Sequence, residues 1–509
     1  MEAQPQSGSP STASYPRWVM LEQYLEIIKV KVEDSSRSTT EDDARTLAAA
    51  RTSNSHPIQV SLRLAEPPAL SRVFLRIPNG LNEEKSKVLA AHGDSVLIQV
   101  RLQDTYEHFV YNAGDHAADP PRPPSLWLLP PYYEQRYLSG SDQLVPRELF
   151  DGRTGLLRRG EDDLAVAELR GPGLSMSKDT PKVADLYLFR SGEWNRYQIK
   201  VREGWDIPTL WDTVVPVDDR LLCFVYLCCC VMLLDVFAEM PTVQYVQLPM
   251  DPRDCNGGLN RNVCTTAGGG TLKFVNIFGR CCCGGDASCD CKHSHHAYII
   301  HTWTMRIGNK GVVDWVQDGM VDATELWALD AYKGHLPCDP LDRPVVSIDE
   351  AEVICFRLRD TKCDSRTLWQ ILVNVRSKTI HSVSRHEEER GYCYTRDKLI
   401  PSKVSYFFNT CPRSGDATLT GQSQVDIERS PSVVVDVQPK GDGDASNPTL
   451  QDIFEALQEI PSYGLLGPDE VKAYRILWNN NGCRLRSLLR LPKNLRKNWL
   501  QIEIKASED

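Results

Sequence analysis

The chain has 509 residues, 41% of them apolar, with a formal net charge of −10 and a pI of about 5.7. That apolar share supplies a core and excludes wholesale disorder, while the acid excess argues against a protein that coats nucleic acid with its whole surface. The length accommodates one large repeat array or two to three ordinary domains.

Met1–Pro16 is polar and has no apolar h-region, so no secretory signal is expected. Trp18–Val32 ends in alternating Ile28, Val30 and Val32, and in a closed array of sheets it is expected to pair with a late strand such as Val404–Phe408. Glu33–His56 is polar and reads as a surface excursion with a short helix. From residue 57 to 411 a hairpin grammar recurs. Val96, Ile98, Val100 and Leu102 alternate with polar residues. Tyr197, Ile199 and Val201 do the same, as do Ile299, Trp303, Met305 and Ile307, and then Trp369, Ile371, Val373 and Val375. Period-two alternation predicts half-buried antiparallel strands. Turns punctuate them at His92-Gly93-Asp94, Arg159-Gly160-Glu161, Asp218-Asp219, Gly268-Gly269-Gly270 and Asp349-Glu350.

Uneven spacing of those turns makes a degenerate repeat with insertions. The expected fold is all-β: a β-propeller-like array of about five to seven antiparallel blades with a small α-helical C-terminal appendage. A large β-sandwich is the rival. The boundaries follow as 1–16 disordered, 17–411 the propeller-like body, 412–449 a disordered linker and 450–509 a helical, basic segment. Leu221–Leu234 is the longest apolar run, but its fourteen residues fall short of the about 20 a membrane helix needs, and it reads as two buried strands. Seventeen cysteines, several adjacent, make a poor disulfide framework in a chain of this size, so reduced thiols and a cytoplasmic and/or nuclear location are expected.

Several separated segments resemble a plant family, numerous in grasses, that carries the "domain of unknown function 1618". They are Pro16-Arg17-Trp18-Val19, Leu64–Pro68, Gly155–Gly160 with Ala165–Leu169, Leu222–Val225 followed by Leu234–Phe237, Thr271–Val275, Thr302–Met305 and Ser487–Lys505. The resemblance brings no activity, catalytic residue or cofactor with it. Relatives tend to have an aromatic, a basic residue and Gly where this chain has Cys228-Cys229-Cys230, which predicts a looser turn there.

Two tracts invite chemistry. Cys281–His296 crowds five thiols and three imidazoles together, and Cys289, Cys291, His293 and His296 are the set that Zn²⁺ or Cu⁺ would take. The bland alternative is an exposed insertion between two strands. Between Val471 and Ile502, eight basic residues and no acidic one are interleaved with Leu, Trp and Ile, which suits phosphates or an acidic partner, or docking on the acidic body. His301 shares a strand face with Ile299 and Trp303 and reads as a core histidine. Walker, zincin and nucleophile-elbow motifs are absent, which lowers the enzyme reading without removing it. No catalytic, cofactor-binding or metal residue is assigned. The expected role is a non-enzymatic scaffold that binds a protein partner of unknown identity through one propeller face. Metal binding through 281–296 and nucleic-acid association through 471–502 are the alternatives, and no membrane partner is expected.

Overall fold

The structure, a computed structural model, describes residues 14–30, 41–81, 85–102, 105–138, 141–160, 162–171, 183–200, 211–250, 258–280, 297–307, 313–333, 336–359, 367–387, 398–409 and 496. The chain divides into two compact units, Met1–Met250 with Gly258–Arg413 and Asp251–Gly257 with Ser414–Asp509. In the second only Arg496 is described, helical and buried. The linker 412–449 and the remainder of the expected helical appendage lie outside the described residues.

The first unit is all-β and β-propeller-like, with six four-stranded sheets among the described residues. Its first strand, β1 (Val19–Glu22), precedes sheet one, which contains β2 (Glu26–Val30), β3 (Ala48–Arg51), β4 (Pro57–Arg63) and β5 (Arg72–Pro78) in the order β2-β5-β4-β3. Sheet two is β6 (Lys87–His92), β7 (Ser95–Leu102), β8 (Thr105–Asn112) and β9 (Ser125–Leu128). A separate hairpin follows, β10 (Tyr133–Leu138) with β11 (Ser141–Pro146). Sheet three is β12 (Thr154–Arg159), β13 (Asp163–Arg170), β14 (Val183–Arg190) and β15 (Glu193–Lys200). Sheet four is β16 (Thr213–Val217), β17 (Leu221–Tyr226), β18 (Cys230–Asp235) and β19 (Val243–Gln247). Sheet five is β20 (Arg261–Thr266), β21 (Thr271–Arg280), β22 (Ala297–Ile307) and β23 (Val313–Asp322), and sheet six is β24 (Leu341–Val346), β25 (Val353–Arg359), β26 (Thr367–Asn374) and β27 (Thr379–Glu387). Sheets two to six are antiparallel, with strands in chain order. Their first hairpin turns are the five read from sequence.

These sheets close into a ring. The first strands pack in series, β6 on β12, β12 on β16, β16 on β20 and β20 on β24. One apolar layer fills each gap. Leu97, Leu156 and Val166 join sheets two and three. Leu186 and Phe224 join three and four, Val231 and Phe274 join four and five, and Val321 with Phe356 join five and six. Val60 and Val96 join sheets one and two. The last gap is filled by Trp18 and Met20 against Val345, Ile348 and Cys355. A late strand, β28 (Leu399–Ser402), pairs antiparallel with β1, from Val19↔Ser402 to Glu22↔Leu399, and packs beside β6. Gly155 permits one close approach, because a Cβ there would meet Val214 Cγ1 at 2.6 Å.

Three expectations change. Closure does use the N-terminal strand, but its partner is β28. Val404–Phe408 is a 3-10 turn whose Val404 and Phe408 are buried at a helical rather than a strand spacing. The excursion at Glu33–His56 does carry a helix, α1 (Glu41–Thr46), yet Ala48–Arg51 forms the outer strand of sheet one. Half-burial holds in β15, where Arg196 and Gln198 are exposed and Ile199 is buried. It does not hold in β7, where stacking covers both faces and Ser95 and Gln99 are as buried as Val96 and Ile98.

Polar residues between sheets therefore need partners. Arg147 donates from Nε and Nη2 to Glu168 Oε2 at 2.8 and 2.6 Å, and from Nη1 to Glu134 Oε2 at 2.7 Å. Its guanidinium also lies 3.9 Å from the Tyr187 ring centroid. Lys273 Nζ reaches Asp318 Oδ2 at 3.0 Å, and Arg357 grips Asp342 at 2.6 and 2.7 Å. Leaving one member of such a buried pair costs more than removing both. Glu168→Ala is expected to destabilise the body by about 3–5 kcal/mol. Arg147→Met with Glu168→Leu is expected to recover most of that loss, both read by denaturant unfolding.

Candidate functional site at the two ends of the ring

The first strands of sheets two to six and the closing strand β28 point the same way, so the ring has a turn end and an opposite end. At the turn end, the first hairpin turns of neighbouring sheets are bonded to one another. Arg158 N–H donates to His92 Nδ1 at 2.9 Å, tying sheet three to sheet two. Asp218 N–H donates to Gly269 O at 2.8 Å, and Gly268 N–H to Ile348 O at 3.0 Å, tying sheets four, five and six. Gly268 and Gly269 supply the positive φ values of 78° and 112° that this turn requires, and Asp218 adopts φ 50°. Lys403, just past β28, donates to Gly268 O at 3.2 Å and lies 3.8 Å from Asp349, which also faces Arg17 at 3.5 Å.

At the opposite end β28 starts beside another lysine. Lys398 Nζ donates to Asp212 O of the segment leading into β16, across the ring from the closing strand. Asp151 accepts from Lys87 Nζ at 2.6 Å and from Gln23 Nε2 at 3.0 Å, and Lys398 N–H donates to Gln23 Oε1 at 3.2 Å. Asp212 Oδ2 accepts from Leu227 N–H at 2.8 Å. Burial pushes the Lys398 ammonium below its usual range against the pull of Asp151 and Asp212. Burial also raises the Asp212 carboxyl. For Asp151, burial acts upward, but Lys87, Lys398 and Gln23 win and hold the carboxyl below its usual value. One strand of four residues thus carries a lysine at each end, and both lysines hold other sheets.

The sequence singled out the turn residues Asp218, Gly268–Gly270 and Asp349, and the structure brings them together. Lys398, Lys403, Gln23, Asp151 and Asp212 were not singled out, because each becomes meaningful only when distant segments meet. His301 packs between Phe278 and Trp303, with centroids 5.1 and 5.6 Å away, and burial lowers its pKa. Cys289, Cys291, His293 and His296 belong to the connection between β21 and β22 and lie outside the described residues. So does the basic tract 471–502 apart from Arg496. Among the described residues, no group of three or more His, Cys, Asp or Glu is placed to hold a metal. The turn at Cys228–Cys230 is not loosened by its missing glycine. Cys229 N–H bonds to Tyr226 O at 3.0 Å, and no residue of the turn has positive φ. Contrary to the expectation of reduced thiols, Cys228 is disulfide-bonded, whereas Cys223 and Cys230 are buried free thiols. No described helix is long and apolar enough to cross a membrane.

Residues 225–355, from β17 to β25, match the family described as "Protein of unknown function (DUF1618)". This region is a DUF1618 domain. It spans half of sheet four, all of sheet five and the start of sheet six, including the Gly268–Gly270 turn and Asp349. No curated protein is a significant sequence match to the chain. Among solved structures, the WD40 domain of SCAP from fission yeast is 9% identical with a TM-score of 0.28, over 69% of this chain and 79% of that one. The Cps50 (Swd1) β-propeller domain of Myceliophteria thermophila is 8% identical with a TM-score of 0.32, over 73% of this chain and 91% of that one. At such scores the fold rests on the strand ladders and the six apolar layers of the chain itself.

Two histidines make the ring acid-sensitive. His92 accepts from Arg158 N–H, and burial, aided by Lys403 and opposed by Asp219, lowers its pKa to about 4. His108 accepts from Leu149 N–H at 3.3 Å, and burial with nearby Lys87 lowers its pKa to about 3. The unfolded chain takes up protons near pH 6.5 while these native imidazoles stay neutral. Their stabilisation is therefore complete above pH 6.5 and is lost as pH falls toward 4. Each histidine is expected to contribute a slope of about 1.4 kcal/mol per pH unit in that window. Chemical denaturation at several pH values should show a shallower slope in His92→Gln and in His108→Gln.

Proposed function

We propose that this protein is a non-enzymatic interaction module that binds a protein partner through the turn end of the ring. The observation that carries this reading is the direct hydrogen bonding between turns of neighbouring sheets. It makes the face a single preorganised platform rather than a set of independent loops. A preorganised surface loses little conformational freedom on association, which is where much of the free-energy cost of binding arises. The platform exposes charged and apolar groups together. Asp219, Arg220 and Glu350 are exposed on it, and Met240, in the connection between β18 and β19, is 70% exposed. An exposed methionine on the same face as exposed charged groups suits the mixed apolar and polar character of a protein interface.

The DUF1618 domain supplies the central part of this face, and the family resemblance points to plant tissue as the source of the partner. Affinity capture from such tissue, with mass spectrometry, tests the reading. The full chain is compared with a variant carrying Asp219→Arg, Met240→Asp and Glu350→Arg. Lys333→Glu, an exposed position in the segment after β23, serves as the control at the opposite end. The expected result is a reproducible partner retained by the control and lost at least about tenfold in the triple variant. Equal retention by both variants, or no partner under gentle crosslinking, would overturn the proposal.

A further inference from the structure

The hairpin β10–β11 stands apart from the six sheets of the ring. Among the described residues each of its strands pairs only with the other, in the register Tyr133↔Pro146 to Leu138↔Ser141. Two-stranded sheets are marginal alone, and an uncapped edge is a template for another strand. This hairpin is held at its base by Glu134, which accepts from Arg147 at 2.7 Å, and it exposes apolar groups to solvent. Tyr133 is 53% exposed and Leu144 is 72% exposed. Tyr133, Gln135, Leu144 and Pro146 occupy alternate positions on one face.

Register decides which backbone groups are unused. The connection from Leu138 to Ser141 is two residues long, so those two form a hydrogen-bonded pair across it. Pairs alternate in an antiparallel ladder, which makes Tyr137↔Asp142, Gln135↔Leu144 and Tyr133↔Pro146 the non-hydrogen-bonded ones. The N–H and C=O groups of Tyr133, Gln135 and Tyr137 therefore point to the outer edge of β10. Along β11 the corresponding edge contains Pro146, which has no N–H, and Asp142. Proline and charge are devices that blunt an edge, and the edge of β10 has no proline.

The edge of β10 is also self-complementary. Its sequence Tyr133-Glu134-Gln135-Arg136-Tyr137 is symmetric in its tyrosines and opposite in charge about Gln135. We propose that two copies of this chain associate through antiparallel β10 strands around a two-fold axis at Gln135, forming one four-stranded sheet from two hairpins. In that register Tyr133 stands opposite Tyr137 of the second copy, Glu134 opposite Arg136, and Gln135 opposite itself. A two-fold axis requires such self-complementarity, and oppositely charged and aromatic cross-strand pairs each favour pairing. The paired edge uses the three outward backbone positions and covers apolar surface at Tyr133. It leaves the turn end of the ring free, so it is independent of the partner proposed there.

Sedimentation velocity of the full chain across a hundredfold concentration series tests this. The expected result is a concentration-dependent dimer. Gln135→Pro removes only an outward N–H and is expected to weaken the dimer by about tenfold or more. Arg136→Glu sets like charges opposite each other and should do the same by a different route. Hydrogen exchange supplies a readout that a folding defect would not mimic. In the wild type the outward amides of Tyr133, Gln135 and Tyr137 should gain protection with concentration, while those of Glu134, Arg136 and Leu138 are protected throughout. A monomer across the whole series, or a dimer that both variants retain, would overturn the proposal.

Discussion

Pairing between β1 and β28 is the interaction on which the rest of the body depends. The other sheets are built from neighbouring segments, and their hairpins form from local sequence. None of them joins the first strand of the body to the last. Four residues of β28 do so, by a ladder to Val19–Glu22 on one side and by lysines at both ends. Lys398 reaches Asp212 O at one end, and Lys403 reaches Gly268 O and Asp349 at the other. The sixth apolar layer, around Trp18 and Met20, exists only because that ladder holds β1 against sheet six.

Closure has a second consequence. Once the sheets form a ring, every sheet lies between two neighbours, and in inner strands such as β7 the polar side is withdrawn from water with the apolar side. The chain meets this with paired charges and directed hydrogen bonds, such as Arg147 with Glu168, Lys273 with Asp318, and His92 with the backbone of Arg158. These pairs contribute little net stability beside apolar residues of equal volume, but each costs several kcal/mol if half of it is removed. The turn end gains rigidity from the same geometry, since its turns bond across sheets.

Much of the body was legible in the sequence because its contacts are local. Period-two runs and Gly/Asp turns located the strands around residues 96–102, 197–200, 299–307 and 369–374. All five turns proved to join the first and second strands of a sheet. The all-β, propeller-like fold follows from that regularity. What could not be read is whatever depends on pairing across the chain. Leu399–Ser402 is a short run containing Pro401 and looks unlike a strand, and only β1 makes it one. Val404–Phe408 has strand-like composition but buries Val404 and Phe408 four residues apart. Ser95 and Gln99 looked solvent-facing, because alternation records which side is apolar and says nothing about what covers the other side. Lys398 and Asp212 are far apart in sequence and carry no motif, so the polar end they build was invisible.

Hydrogen exchange of the full chain carrying Leu21→Pro tests the closing role of β1 most directly. Proline there removes a backbone donor from the strand that faces β28 while leaving the five sequential sheets intact. If closure sustains the ring, amides of the first strands in sheets two to six should lose protection together with those of β1 and β28. Loss of protection confined to β1, β2 and β28, with β12 and β16 unchanged, would contradict the account.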